Sequence, residues 1–438
     1  NVTEANVSGC GDFGAMTGRV GNNFYDWEVS GNKVVLADML WTSGKIDDSI
    51  FESGDGTEEE PYIIKTEKQL RDFAGSLNNK IDYTNQYVAL GDDIVLSSEE
   101  WKPIGRSDYL FNGTFDGQGH TISGMTLGTA DEAFALDSEN VYIGLFGVLG
   151  PKAYVKDVHL TGVSFHVSYG ASITIGGIAG GMQGATGKSD YTGAVIDGCS
   201  VKGVISATGE QGNQFVGGLV GQQFKGAIIN SSTDVELSGI VTSEALAEVG
   251  GLVGLNNRGL VANCWSDSNV YGSGSRENGD EGMAVVSNLI ACNAGAEVNC
   301  YATGDTTTKE HSTYAGMVSG WVTGIGKTYT CWYDLNNTMI VGKDTNNPLY
   351  VNPVESIGTK VASGVNDEGD AYTGGLVDKM VGCNADGDSD KNIIAYAAVA
   401  DAINKNFETF PIDITAFGLK ETALKNWTYE NEQITFGT

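Results

Sequence analysis

Three alternating carboxylates near the carboxyl end of the chain have the spacing of a metal-binding loop. Asp386, Asp388 and Asp390 offer side-chain oxygens at every second residue, as calcium loops do. Gly387 is out of place for an EF-hand, and no Glu follows at the twelfth position. The segment therefore favours a solvated acidic turn ahead of a helix, with a calcium site as the alternative.

Two other carboxylates, Asp157 and Asp197, follow similar apolar residues in neighbouring repeats. Paired carboxylates on the outer face of stacked strands would suit acid–base cleavage of a polysaccharide. The next two repeats have Ile229 and Ala262 at this place, which favours a turn or an inward position instead. A carbohydrate-active enzyme is therefore kept as an alternative function.

Motifs for peptide-bond chemistry are missing from the sequence. A zinc peptidase would need HExxH, and none of His120, His159, His166 and His311 has a second His four residues away. No Gly-x-Ser-x-Gly nucleophile elbow occurs, although a Ser–His–Asp triad can be assembled from residues far apart in the chain. We therefore predict no catalytic residues and, calcium aside, no cofactor.

The charge of the chain limits its partners. It has 56 Asp and Glu against 25 Lys and Arg among 438 residues, a net charge of −31. An acidic surface repels nucleic acid and anionic membranes. There is no apolar run of about 18 residues and no secretory leader, and the start at Asn1 without Met fits removal of a leader or tether. We expect a secreted or surface-exposed monomer.

Internal repetition is the strongest feature of the sequence. The pentapeptide GGLVG occurs at residues 217–221 and again, 33 residues later, at 250–254. Periods of this length indicate a solenoid or an array. Looser copies occupy residues 143–147, 176–180, 287–291 and 315–319. Short alternating apolar segments follow each copy, with no helical period between them, so the prediction is an all-β, right-handed parallel β-helix.

The cysteines follow the same repeat. The chain has seven, an odd number that cannot pair completely, and no CxxC motif. Cys199, Cys264, Cys300 and Cys331 occupy one repeat position, at which Ser231 and His159 stand in other copies. We expect buried free thiols pointing inward. Asparagine immediately precedes this repeat position in three copies, as Asn230, Asn263 and Asn299. This pattern predicts a ladder of side-chain amides along the stacked strands.

Helices are expected at both ends of the solenoid, where they would cover the exposed strand edges. Residues 65–78 have a capping box, Thr66 and Gln69, and an apolar stripe of Leu70, Phe73, Ala74 and Leu77. A second helix is predicted from a cap at Asp390 to about Phe407, followed by a closing strand within residues 427–436. The predicted divisions are an N-terminal β segment (1–55), the β-helix (56–340) and a C-terminal region (341–438).

Aromatic side chains recur at related repeat positions, and two roles are open for them. On the outside they would form a stacking surface for sugar rings, whereas inside they would fill the core. The residues are Trp265, Tyr271, Tyr301, Trp332 and Tyr333.

The GGLVG copies resemble the GLUG repeat, named for its Gly-Leu-any-Gly core. Residues 54–64 resemble the segment that enters such domains, and residues 93–96, 101–105 and 111–122 resemble their first rungs, so the likeness covers about residues 54–334. It implies a bacterial extracellular protein, commonly surface-anchored in Bacteroides-like bacteria, and such repeats also occur in adhesins and immunoglobulin A peptidases. We expect a non-catalytic scaffold that binds a host glycan or glycoprotein, or else a non-catalytic part of a peptidase-like secreted protein.

Overall fold

The computed structural model describes most of the chain between Lys45 and Gln433 and the strands that flank it. The described residues are 2–3, 17–20, 23–30, 33–36, 45–136, 141–242, 245–274, 283–309, 313–323, 325–336, 339–341, 350–351, 363–365, 371–373, 376–377, 380–430 and 433–436.

Three sheets, built almost entirely from parallel strands, form the solenoid. Sheet A contains Tyr142–Ile143, Ile173–Gly176, Gln214–Gly217, Leu246–Gly250, Met283–Ser287 and Thr313–Gly316. Sheet B contains Tyr62–Ile64, Tyr87–Leu90, Thr114–Asp116, Phe146–Leu149, Tyr154–Lys156, Ala179–Met182, Val195–Asp197, Val220–Phe224, Ala227–Ile229, Val253–Ala262, Ile290–Val298, Ser319–Val322, Lys327–Thr328 and Leu376–Val377. Sheet C contains Ile94–Val95, Thr121–Ser123, Thr126–Leu127, Phe134–Ala135, His159–Tyr169, Ser200–Gly209, Ser232–Val241, Trp265–Ser266, Asn269–Gly274, Tyr301–Ala302, Thr306–Lys309, Cys331–Asp334, Met339–Val341, Tyr350–Val351, Met380–Asn384 and Ile393–Ala395.

The repeats stack in register, one turn of the solenoid above the next. Gly217 pairs with Gly176 on one side and with Gly250 on the other, and Val220 pairs with Val253. The degenerate copies join the same stack, because Ser287 pairs with Gly250 and with Gly316. The predicted parallel β-helix is therefore confirmed, and each repeat of the sequence is one rung.

Alternation along the strands decides which side chains enter the core. In Ser232–Val241 every second residue is buried, including Val235, Leu237 and Val241. Leu237 pairs with Ile205 and Val270 on the neighbouring rungs, so apolar side chains form continuous columns inside the solenoid. A single rung cannot bury this surface, whereas a stack can.

The glycine pairs mark the corner between sheets A and B, where successive rungs approach closely. A Cβ added to Gly218 would lie 2.1 Å from the carbonyl oxygen of Gly251, and one on Gly251 would lie 1.8 Å from that of Asn288. Neither distance admits an atom. The corner therefore requires glycine at these two positions, because glycine in a strand allows such a close approach of backbones.

The N-terminal end is covered by helix α1 (Glu67–Asn78), which has the predicted capping box and buries the predicted stripe. Phe73 of α1 packs edge-on against Phe111 and stacks with Phe115, both from the first rungs. A short 3-10 helix, Asp48–Ile50, precedes it. Upstream, an antiparallel sheet is formed by Val2–Thr3, Thr17–Val20, Asn23–Ser30 and Lys33–Leu36.

The C-terminal helix α2 (Tyr396–Asn406) starts later than the sequence predicts. The predicted cap at Asp390 is wrong: Asp388 caps a short 3-10 helix, Ser389–Lys391, and strand Ile393–Ala395 follows before α2 begins without a side-chain cap. Backbone pairing of that strand to sheet C outweighs helix continuation. The 3-10 helices Phe407–Thr409 and Ile414–Phe417 come next.

The tail of the chain is a hairpin of Trp427–Glu430 and Gln433–Phe436 rather than one closing strand. Another hairpin pairs Ser363–Val365 with Ala371–Thr373. The rest of residues 342–374, apart from Tyr350–Val351, lies outside the described residues.

Candidate functional site

A ladder of asparagine amides runs across the rungs at the turn between sheets B and C. Asn230, Asn263 and Asn299 all have left-handed backbones, with φ between 51° and 59°, a conformation that Asn tolerates better than most residues. The Nδ2 of Asn263 donates to the Oδ1 of Asn230 at 2.7 Å, and the Nδ2 of Asn299 donates to the Oδ1 of Asn263 at 3.2 Å. The predicted amide ladder is present.

Residues 396–436, here termed the C-terminal segment, fold back along the rungs and bind this ladder. The Nδ2 of Asn230 donates to the carbonyl oxygen of Ala423, and that of Asn263 donates to the carbonyl oxygen of Lys425, both at 2.8 Å. The indole Nε1 of Trp427 donates to the Oδ1 of Asn263. The ladder therefore joins the rungs to one another and also fastens the C-terminal segment to their side.

Three rings of the aromatic stripe pack in an apolar cluster, as the core-filling role predicted, but this cluster lies between the rungs and the C-terminal segment. Trp265, Tyr301 and Trp332 pair in register and lie under the C-terminal segment, in a cluster with Val399 and Ile403 of α2. Tyr301 is 4% and Trp332 2% exposed. The segment thus covers the rings that would otherwise form a sugar-stacking surface, while Tyr271 and Tyr333 are half-buried.

The cysteine column is buried as predicted, but one of its members was assigned wrongly. His159 pairs with Ser200, so Val158, not His159, occupies the position of Cys199. Val158 is buried, and an imidazole in that column would need a polar partner that an apolar core lacks. Burial raises the pKa of the Cys199 thiol to about 12. These thiols are core side chains and are poor nucleophiles.

Asp157 and Asp197 do not occupy equivalent positions, so the register assumed for a carboxylate pair is wrong by one residue. Lys156 pairs with Asp197, which aligns Asp157 with Gly198 at the left-handed turn. Asp197 accepts hydrogen bonds from the Tyr154 hydroxyl at 2.9 Å and from Asn230 at 2.7 Å, and burial raises its pKa. Asp157 forms an ion pair with Lys425 at 3.2 Å. Both carboxylates therefore stabilise the fold.

An imidazole and a hydroxyl do meet on sheet C. The Nδ1 of His159 lies 2.8 Å from the Oγ of Ser200, and burial lowers the pKa of His159. The carboxylate whose charge acts on His159 is Asp157, which is bonded to Lys425. His120 lies 3.3 Å from Asp93 at an exposed corner, and His311 lies outside the described residues.

In the candidate calcium loop of Asp386, Asp388 and Asp390, the central residue Asp388 makes structural contacts. Asp388 accepts hydrogen bonds from the backbone N–H groups of Asp390 and Lys391, and the Lys391 ammonium lies 3.1 Å from its Oδ2. The Lys391 contact holds the pKa of Asp388 below its usual value. Asp386 and Asp390 are exposed. The described part of the chain has no cluster of three or more His, Cys, Asp or Glu suited to a metal, and calcium binding stays a prediction.

A groove of about 520 Å³ lies where the C-terminal segment meets the rungs. Lys188, Ser189 and Tyr191 line one wall, residues between 411 and 417 line the other, and the floor is residues 294–296. We term it the cationic groove after Lys188, Arg258 and Lys327. Its lining also includes the aromatic side chains of Tyr191, Tyr329 and Phe417. Sequence analysis missed this site, because its residues come from five distant parts of the chain.

Both walls of the groove are held in place by buried contacts. The Lys225 side chain is buried and its ammonium donates to the carbonyl oxygens of Ala185 and Gly187, each at 2.6 Å, which fixes the first wall. In the second wall, Phe417 packs in a cluster with Ile229 and Leu260 of sheet B. The rings of Tyr191 and Phe417 meet across the groove at 5.7 Å.

A second cavity, of about 350 Å³, lies beside α1 at the N-terminal rungs. Its lining is mainly apolar and includes Trp101, Phe134 and Tyr142. Trp101 is buried and its indole Nε1 donates to the carbonyl oxygen of Gly144 at 3.1 Å, so this ring supports the rungs. Among the described residues, no helix is both long and apolar enough to cross a membrane.

Comparison with known proteins gives a fold relative and a partial sequence relative. No protein-family model matches the chain. A protein of Evansella cellulosilytica described as "Putative Gly-rich membrane protein" is 32% identical over 158 residues, which are 34% of this chain and only 16% of that protein. The crystal structure of a "putative immunoglobulin A1 protease" from Bacteroides ovatus superposes with a TM-score of 0.57 over 90% of this chain and 98% of that one, at 17% identity. At that identity the likeness is one of fold, so this chain shares its solenoid architecture with the Bacteroides protein.

Proposed function

We propose that this chain is an extracellular, non-catalytic solenoid that binds a host glycan or glycoprotein. The observation that carries the proposal is the cationic groove, a concave site with fixed walls and both charged and aromatic side chains. Its volume lies within the ~300–1,000 Å³ usual for ligand sites. The long stack of rungs acts as a rigid support for it.

The alternative of a carbohydrate-active enzyme has less support. Such an enzyme needs one carboxylate as acid and another as base or nucleophile, both facing the substrate. Asp157 is paired with Lys425, and Asp197 is held by Tyr154 and Asn230. Carboxylates engaged in this way would have to leave the contacts that fasten the C-terminal segment before they could act on a substrate.

The surface location and the GLUG membership are part of the same proposal. The partial relative from Evansella is described as a membrane protein, and the fold relative comes from a Bacteroides species, which agrees with a bacterial protein at the cell surface or outer membrane. The net charge of −31 suits a chain that is exposed to solvent rather than to nucleic acid.

A second candidate function is that of a non-catalytic part of an immunoglobulin A peptidase-like secreted protein. It is favoured by the fold shared with the Bacteroides protein described in those terms. Because fold alone does not determine activity, this candidate needs its own assay. Incubating immunoglobulin A1 with the chain should give intact heavy chains on a gel, and a cleaved hinge would refute the non-catalytic assignment.

The proposal is tested by binding the full chain to a glycan and mucin array, in calcium and again with chelator. We expect reproducible binding and no shortening of the bound glycan. Loss of binding on chelation would support calcium at Asp386, Asp388 and Asp390. Release of shortened glycan would refute the non-catalytic assignment, and failure to bind any glycan or mucin would refute the proposed function.

A further inference from the structure

We infer that the ligand of the cationic groove is an anionic saccharide, one that carries a carboxylate or sulfate group on a sugar ring. The inference rests on the proposed function and assigns a ligand class to the same site. It is carried by three features of the groove: its charge, its aromatic rings, and a floor made of small residues.

The charge of the groove is opposite to that of the molecule. Lys188, Arg258 and Lys327 line one cavity in a chain whose net charge is −31. Asp413 is the one acidic residue among its described lining residues, and its Oδ1 accepts from the backbone N–H and hydroxyl of Thr415 at 3.0 and 2.6 Å. Since the rest of the surface repels anions, an acidic ligand is directed to this place.

The aromatic rings favour a sugar over a simple anion. Tyr191 is 39% exposed, and few aromatic rings among the described residues are exposed to this extent. Tyr191 borders the groove together with Tyr329 and Phe417. A ring face offers an apolar surface for the C–H groups of a sugar, while a tyrosine hydroxyl hydrogen-bonds its hydroxyl groups. Cations beside such rings would then bind the acidic substituent through charge-assisted hydrogen bonds.

The floor is shaped by amides beneath it. Asn256 donates to the Oδ1 of Asn293 at 3.1 Å, and the same oxygen accepts the backbone N–H of Gly295 at 3.0 Å. A Cβ on Gly295 would lie 2.4 Å from the carbonyl oxygen of Gly259. Gly295 is therefore needed for the close approach of the rungs beneath the floor, and with Ala294 and Ala296 it makes the floor one of small residues.

The test measures binding of four probes by calorimetry: 3′-sialyllactose, trigalacturonate, a chondroitin sulfate disaccharide and neutral lactose. The variant Lys188→Gln/Lys327→Gln removes two exposed charges from the groove. A matched control, Lys68→Gln/Lys202→Gln, removes two exposed lysine charges that pair with Asp72 and Asp234 elsewhere. Both variants have the same net charge, so any difference between them reports on the groove.

We expect at least one acidic probe to bind more than about tenfold tighter than lactose, and the groove variant to lose about tenfold in affinity. The control should stay within about twofold, and binding should weaken between 50 and 200 mM NaCl. Preference for trigalacturonate or sialyllactose, which carry only carboxylates, would show that a carboxylate is sufficient for recognition. Preference for the chondroitin disaccharide, which carries a uronate carboxylate and a sulfate, would show that the sulfate contributes to binding.

Two results separate the failure of this inference from the failure of the proposed function. If the chain binds glycans on the array but prefers neutral ones, or binds acidic ones equally well after Lys188→Gln/Lys327→Gln, the anionic-saccharide assignment is overturned and the binding function stands. If the chain binds no array glycan and no probe, both are overturned.

Discussion

Asn263 is the centre of the contact between the C-terminal segment and the rungs, and its removal should release that segment. Its side chain donates to Asn230 and to the carbonyl oxygen of Lys425, and accepts from Asn299 and from the indole of Trp427. The side chain is buried. Replacement by Gly keeps the left-handed backbone, as Gly198 does naturally one rung away from Asn230.

The magnitude follows from the hydrogen bonds lost. Two of the four bonds reach the C-terminal segment, and each leaves its partner there, the Lys425 carbonyl or the Trp427 indole N–H, unsatisfied at about 1.5 kcal/mol, so Asn263→Gly should destabilise docking of the segment by about 3 kcal/mol. Asn263→Ala should cost about 1 kcal/mol more, because alanine is strained at a φ of 58°. The difference between the two variants separates lost bonds from backbone strain.

Native-state hydrogen exchange is the suitable assay, since it reports local opening without assuming that the whole chain unfolds at once. For a loss of about 3 kcal/mol, amides of α2 and the tail hairpin should exchange about 100-fold faster in Asn263→Gly, while those of Ser232–Val241 keep their rates. The control is Asn256→Ala, another buried asparagine whose hydrogen bonds go to Gly259 and Asn293. Wild-type exchange rates in the C-terminal segment of Asn263→Gly would refute the role given to the ladder.

Three further predictions concern the core. Gly251→Ala should destabilise the chain by more than about 3 kcal/mol in thermal or urea unfolding, because its Cβ would overlap the backbone of Asn288, whereas Gly75→Ala in α1, with nothing within 4 Å, should stabilise it by about 0.5–1 kcal/mol; equal effects would contradict the packing argument. Burial raises the pKa of Glu248 to about 8, so between about pH 5 and 8 the folded state holds a proton that the unfolded state has lost, and the free energy of unfolding should fall by up to about 1.4 kcal/mol per pH unit. In Glu248→Gln, the free energy of unfolding measured by urea titration should fall less steeply with pH. If its pH profile is parallel to that of the wild type, the Glu248 carboxyl is not buried as described. A thiol reagent such as DTNB should leave six buried thiols unmodified until the chain unfolds: Cys199, Cys264, Cys292, Cys300, Cys331 and Cys383. Prompt labelling of any of these six would contradict their burial.

The solenoid could be predicted from the sequence because the signals for it are local and repeated. Most rungs have glycine at the corner, as at Gly217, Gly250 and Gly316 with Ser287 an exception, and the core needs alternation, so each repeat carries its own instructions. The one-residue error at Asp157 and Asp197 arose from matching residue type instead of backbone conformation. Asp157, Gly198 and Asn230 all have a positive φ. Alignment on residues that tolerate this conformation would have placed Asp157 correctly.

The cationic groove could not be predicted, because its residues are brought together by tertiary contacts alone. The first wall depends on Lys225 reaching back 38 to 40 residues to the loop carbonyls. The second depends on the C-terminal segment returning along sheet B, with Asn230 bonded to Ala423 across 193 residues. No periodic pattern records such contacts. The same return of the chain explains why the outward aromatic stripe is buried, which repeat position alone could not show.

The C-terminal segment therefore has two connected roles, and their connection can be measured. It covers Tyr301 and Trp332, whose exposure would leave an apolar patch on the solenoid, and it supplies Phe417 to the groove. A ligand held between the two walls binds only the docked segment, so by linkage it must stabilise docking. At 100 times its Kd the ligand should stabilise the docked state by about 2.7 kcal/mol. Exchange of the C-terminal amides should then slow about 100-fold in Asn263→Gly when a groove ligand is added, and only about tenfold in Lys188→Gln/Lys327→Gln/Asn263→Gly at the same ligand concentration, because that variant binds the ligand about tenfold more weakly. Equal protection in both variants would mean that the ligand binds away from the groove.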